Sequence, residues 1–129
     1  MSNVSSEGII LKRHNFGEAD RVMTALTDKF GKISIVARGV RRITSRRAGN
    51  VEILNRVQMG LFKGKNYTLT EAQSLETFEG IKSQLTLSTI AFHLIELADK
   101  LLLEDQPNPA AYGLLLTALR FLEVNPRQR

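Results

Sequence analysis

In Gly31-Lys32-Ile33-Ser34-Ile35-Val36-Ala37, the residues Ile33, Ile35 and Ala37 alternate with Lys32, Ser34 and Val36. A period of two is that of a strand with one face in a core. With this segment as a strand, its neighbours read in the same way. Upstream, Arg21 to Thr27 is rich in Val, Met and Thr, and Asp28-Lys29-Phe30-Gly31 is a tight connection. Further upstream, Glu7 to His14 carries the run Ile9-Ile10-Leu11, with Asn15 and Gly17 supplying a turn. Downstream, Arg56 to Phe62 puts Val57, Met59 and Leu61 on one face and Arg56, Gln58 and Phe62 on the other. Lys63-Gly64-Lys65-Asn66 is a hairpin turn, and a fifth strand runs from Tyr67 to about Leu75. Three strands, a connecting segment and two more strands is the count and spacing of an OB-type small barrel. Other five-stranded β folds fit the same periodicity.

The connecting segment opens with Arg38-Gly39-Val40-Arg41-Arg42-Ile43-Thr44-Ser45-Arg46-Arg47, which holds five arginines and no acid. It continues through Ala48-Gly49-Asn50 to Leu54 as a short helix or irregular crossing. A guanidinium is charged at any working pH and offers a planar fork of donors suited to phosphate oxygens. The stretch therefore reads as a nucleic-acid backbone contact or as a solvated basic surface. Charge is unevenly divided: residues 1–65 hold 13 basic against 5 acidic side chains, and residues 66–129 hold 5 against 8. A basic functional half joined to a packing half is the expectation.

The period changes in the second half. From Leu85 to Leu103 apolar residues cover most of a helical circumference, leaving the narrow polar stripe Thr89, His93, Glu96 and Lys100. Such a helix is expected to be buried on nearly all sides. Asn108-Pro109 starts another helix, with Asn as N-cap and Pro in the first turn. Its expected apolar face is Ala111, Leu114, Leu115, Ala118, Leu119 and Leu122, and Asn125-Pro126 ends it. Two helices this apolar need more partners than one small barrel offers. A helical module cut short, or completed by another chain, is expected.

Enzyme readings do poorly. The 129 residues contain no cysteine and two histidines, which excludes disulfides, thiolate zinc sites and a cysteine nucleophile. Gly60 to Asn66 lacks the spacing and the hydroxyl of a phosphate loop and has strands on both sides. Glu96 and Lys100, four residues apart, read as a solvated ion pair. The polar N-terminus and the lack of an apolar run of about 20 residues point to a soluble, cytoplasmic chain. No cofactor or metal is expected.

Binding chemistry does better. Lys63, Lys65 and Tyr67 surround the hairpin, with Phe62 on the outer face of its strand. Rings beside cations suit single-stranded nucleic acid, because bases stack on rings while cations follow phosphates. Phe62 and Tyr67 could equally pack under the helices. Lys12 and Arg13 extend the basic surface or are ordinary strand charges.

With these pieces in place, the chain resembles the N-terminal part of the RecO family of bacterial recombination mediators. The likeness rests on Glu7-Gly8-Ile9-Ile10-Leu11, Gly17-Glu18-Ala19-Asp20-Arg21, Gly31-Lys32-Ile33-Ser34, the arginine stretch and Leu69-Thr70-Glu71-Ala72. Leu94 to Leu102 and Pro107-Asn108-Pro109 continue it. The resemblance implies an OB-fold over residues 1–79 followed by the start of an all-α domain over 80–129, a mixed β and α chain. Many family members carry a late zinc-binding cysteine cluster, so a fragment or truncated member is expected. The resemblance further implies a non-enzymatic protein that binds single- and double-stranded DNA and anneals strands. It implies contact with the tail of single-stranded-DNA-binding protein and RecA loading with RecR, near the bacterial nucleoid. Arg38, Arg41, Arg42, Arg46, Arg47, Lys63, Lys65, Tyr67, Lys12 and Arg13 are the expected DNA contacts. The rival expectation is a protein-interaction adaptor whose basic stretch docks an acidic partner.

Overall fold

The structure, a computed structural model, describes residues 2–39 and 51–124. Five strands come first: β1 (Ser2–Phe16), β2 (Asp20–Thr27), β3 (Gly31–Ala37), β4 (Arg56–Lys63) and β5 (Tyr67–Glu76). They close into a barrel in the order β1-β2-β3-β5-β4, with β3 and β5 parallel and every other pair antiparallel. This is the connectivity of the expected OB-type barrel. The alternation in β3 and β4 holds: Ile33, Ile35, Ala37, Val57, Met59 and Leu61 are all buried.

Strand β1 is longer than its apolar run suggests. Its first half pairs with β4 through Ser2–Ile9, and its second half pairs with β2 through Gly8–Phe16. The change of partner happens at Gly8, where a Cβ would lie 3.0 Å from Met59 Cε and 3.1 Å from the Leu26 carbonyl oxygen. A register shift between Ile10 and Lys12 follows. Three successive residues of this strand are buried because both of its faces are covered here. Ile10 fills the barrel interior with Met23, Ile35 and Met59. Ile9 and Leu11 belong to a second core on the outside of the barrel. The segment before β4 seals one end, with the Leu54 N–H donating to the Ile10 carbonyl (3.0 Å) and the Ile10 N–H to the Asn55 carbonyl (3.1 Å).

The second core is made with helices α1 (Glu79–Lys82), α2 (Leu85–Leu101) and α3 (Pro109–Val124). The Asn108 carboxamide accepts from the Ala111 N–H at 3.1 Å, the N-cap expected from the sequence. The carboxylate of Glu123, from α3, accepts the Gly80 and Ile81 N–H groups at 2.9 Å and so caps α1 across the fold. Two expectations need correcting. Helix α2 is not buried on nearly all sides: Leu87, Ala91 and Ile95 face the core, whereas Leu85, Ile90, Phe92, Leu97 and Leu101 are exposed. The barrel wall and the neighbouring helices α1 and α3 leave much of its apolar circumference in water. On α3 the buried face is Tyr112, Leu115, Leu116, Leu119 and Leu122, and Leu114 is 73% exposed. Tyr112 belongs to this face, and its hydroxyl donates to the Glu7 carboxylate at 2.7 Å.

Two polar joints hold the helices to the barrel. Arg56 bridges Glu7 (2.8 Å) and Glu76 (2.6 Å), and Glu76 also receives Arg120 of α3 (2.6 Å). At the other joint the linker between α2 and α3 lies along the start of β3, with the Asp105 N–H donating to the Lys32 carbonyl at 2.8 Å.

Candidate nucleic-acid interface

Residues directly opposite one another in a sheet share a face. The register therefore places His14, Val22, Val36, Thr68 and Phe62 in one row across β1, β2, β3, β5 and β4. Their chain neighbours Met23, Ile35, Tyr67 and Leu61 fill the barrel interior, so the row faces outward. His14 and Phe62 are exposed, and Val22, Val36 and Thr68 are half-buried. At roughly 4.8 Å per strand, the row spans about 19 Å along the sheet. The helices cover a different part of the outer surface, the part carrying Ile9, Leu11 and Leu26. What remains open is a floor of β-branched side chains with aromatic or imidazole rings at its two ends.

Cations stand at the borders of this floor. Lys65 lies in the β4–β5 turn beside Phe62, whereas Lys63, the last residue of β4, is paired with Tyr67 and sits over that ring at the barrel end. Arg38 follows β3 at the opposite end, 71% exposed and 3.9 Å from Asp20. Asp20 also accepts the Gly39 N–H at 2.7 Å, which fixes where the chain leaves the barrel. Because Tyr67 pairs with Ile35 on parallel strands, Arg38 lies three residues beyond the level of the β4–β5 turn, roughly 10 Å along the strands. The basic positions thus lie at opposite borders of the floor rather than in one cluster.

The other positions singled out from sequence go elsewhere. Lys12 pairs with Asp99 of α2 at 3.0 Å, and Lys32 reaches the same carboxylate at 3.6 Å, so both serve the barrel–helix joint. Arg13 lies 4.0 Å from Glu52. Arg41, Arg42, Arg46 and Arg47 lie outside the described residues. Tyr67 is in the barrel core, 9% exposed, with the Phe30 ring 5.7 Å away and the Lys63 ammonium 4.4 Å above its own ring. Burial, with the negative charge of Asp105 added, raises its hydroxyl pKa above the usual tyrosine value. Core packing was the alternative reading of this ring, and it accounts for the geometry. Tyr67→Leu is accordingly expected to cost about 1–2 kcal/mol of stability while leaving oligonucleotide affinity per folded molecule unchanged. Thermal melting and a binding titration on one sample would show a binding loss with no melting change if the ring instead met a base.

Sequence reasoning missed His14, Val22, Val36 and Thr68 as parts of one surface, since only the register joins them. The polar stripe of α2 borders a groove of about 570 Å³ against β1, floored by Leu11, Ile53 and Ile95. Glu96 and Lys100 form the exposed pair expected there, at 3.9 Å.

Comparison with known proteins bears on this site. Residues 1–78 match the family model described as Recombination protein O N terminal, and residues 82–128 match Recombination protein O C terminal. The chain is 34% identical over 128 residues to the DNA repair protein RecO of Acetivibrio thermocellus, covering 98% of this chain and 51% of that protein. It is 37% identical over 120 residues to that of a Roseiflexus species, covering 92% of this chain and 42% of the relative. With that of Listeria monocytogenes the identity is 33% over 118 residues, 91% of this chain and 46% of the relative. The chain spans about half the length of the curated relatives it matches.

Proposed function

We propose that this chain, which belongs to the Recombination protein O family, binds single- and double-stranded DNA without sequence preference and acts in DNA repair. The observation that carries the reading is the uncovered outer row from His14 to Phe62, bordered by Arg38 at one end and by the Lys65 turn at the other. On this reading residues 1–79 are the DNA-binding unit, and residues 80–129 belong to a helical unit. The arginines supply affinity by displacing counterions from phosphates. Annealing needs two strands held close with their repulsion screened, and a cationic face does this with no covalent step. Family membership supports extending this reading to strand annealing and RecA loading with RecR, in the bacterial cytoplasm at the nucleoid.

Seven of the twelve lysines and arginines among the described residues are in ion pairs: Lys12, Arg13, Lys32, Arg38, Arg56, Lys100 and Arg120. The stretch Arg38–Arg47 has five arginines and no acid in its own sequence, so it carries the largest share of the phosphate contact. Replacing Arg41, Arg42, Arg46 and Arg47 together with alanine is expected to weaken single-strand binding at least roughly tenfold at low salt. The log–log salt slope should fall by about 3. Fluorescence anisotropy over a salt series measures both, and an unchanged slope would assign these arginines to solvent.

A second reading, separate from an adaptor whose basic stretch docks an acidic partner, is favoured by one observation: Leu97, Leu101, Leu114 and Phe121 are exposed on the helices. On this reading the helical side takes a protein partner, such as the acidic tail of single-stranded-DNA-binding protein, while the barrel takes DNA. Binding to an apolar site falls little as salt rises, which separates it from phosphate contact.

A further inference from the structure

We propose that Phe16 is a stacking platform for an unpaired nucleobase and tilts binding by the barrel toward single strands over duplex. The inference rests on the DNA-binding reading above and adds the base contact it lacks. Phe16 is the last residue of β1, and it forms the final rung of the β1–β2 hairpin with Asp20. The chain turns immediately afterwards through Gly17, at φ 64°. The ring belongs to neither hydrophobic core and is 59% exposed. Its position, two residues beyond His14 on the same strand, puts it on the outward face as a continuation of the open row.

Charged side chains flank the same hairpin tip. Asp20, opposite Phe16, is the residue that pairs with Arg38, and Asn15 accepts from Arg21 Nε at 3.4 Å on the adjoining rung. Arg21 and Arg38 are offset by Glu18 and Asp20, so the tip carries little net charge. An exposed ring on a tip of low net charge suits the face of a base, and the exposed Arg38 nearby meets the flanking phosphate. Paired bases inside a duplex do not offer that face, whereas unpaired bases do. Tyr67 is buried, so it cannot take this role. Phe62, at the far end of the row, is less exposed, at 39%.

The test uses the 129-residue chain with a fluorescent oligothymidylate and a duplex of the same length. Phe16→Ala is expected to weaken single-strand binding roughly five- to 150-fold, the range for one base–aromatic stack. Duplex affinity should change less than about twofold and the salt slope should stay the same, because no phosphate contact is lost. The chain has no tryptophan, so Phe16→Trp introduces one indole. That variant should retain single-strand affinity, and its emission should be quenched on binding. Single-strand affinity unchanged in Phe16→Ala overturns the proposal, as does an indole whose emission ignores saturating oligonucleotide. Equal losses on single strand and duplex overturn the claimed preference. If Phe16→Ala fails to fold, the indole readout still decides. Wild-type chain that binds neither oligonucleotide overturns the DNA-binding reading itself, a result distinct from all of these.

Discussion

Gly31→Ala is expected to cost about 3–4 kcal/mol of stability, whereas Gly17→Ala should cost about 1 kcal/mol. Both glycines adopt positive φ, 73° and 64°, so both variants carry the same kind of backbone penalty. Their surroundings differ. Around Gly17 a Cβ meets nothing within 4 Å. At Gly31 it would collide with the carbonyl group of Gln106 and come within 3.0 Å of the Pro107 nitrogen. These are backbone atoms of the linker between α2 and α3, and they cannot swing aside as a side chain can. The linker would have to lift, which endangers the bond from the Asp105 N–H to the Lys32 carbonyl. Gly31 also closes the β2–β3 turn, where its carbonyl accepts from the Thr27 hydroxyl (2.8 Å) and that hydroxyl accepts the Phe30 N–H (2.9 Å). Urea melts of the two variants measure the difference. Equal losses would mean that the linker does not press on β3.

Arg56→Met is the second large effect, expected to cost about 2–3 kcal/mol at neutral pH. Arg56 is 16% exposed and joins two carboxylates that are themselves mostly covered, so its removal strands buried negative charge. Full burial would make the loss larger; partial access of water to Glu7 and Glu76 reduces it. The pH dependence has a definite sign. The hydrogen bond from Arg120, followed by that from Arg56, holds the Glu76 carboxyl below its ordinary value of 4.5, against the opposing effect of burial. A depressed carboxyl stabilises the fold fully above its unfolded value and loses that contribution as pH falls through its folded value. The gap between wild type and Arg56→Met should therefore be widest at pH 7 and narrow as the pH falls below about 4.5. Denaturant melts at several pH values test this. A gap independent of pH would assign the loss to packing alone.

Legibility from sequence followed the number of partners each element has. Strands β3 and β4 were readable because their inner faces meet only the barrel interior, which leaves a clean alternation. Strand β1 was underestimated because Ser2-Asn3-Val4-Ser5-Ser6 gives no apolar signal, although it is a full rung partner of β4. Helix α2 misled in the opposite direction, since its apolar circumference does not say which residues find a partner within these 129 positions. Three of them, Leu87, Ala91 and Ile95, do. The Glu7–Arg56–Glu76–Arg120 network joins four elements far apart in the chain, and no local pattern could pair them. At the candidate interface, Lys65 was legible as a cation on a turn. Phe16 stood in plain view beside Asn15 and Gly17, but its exposure only becomes visible once both cores have been filled without it.

The change of partner along β1 bears on how the chain emerges from the ribosome. Residues 8–16 of β1 can zip onto β2 as soon as that strand is made, and β3 can then add to the growing edge. The leading half, Ser2 to Glu7, must wait for β4, translated roughly 3 to 10 seconds later at ordinary elongation rates. Throughout that interval it is an unsatisfied edge, the kind of surface that recruits neighbouring nascent chains. Its serines, asparagine and glutamate make it a poor template for such misassembly. The same polarity that hides this half-strand from a hydrophobic pattern keeps it harmless until its partner arrives.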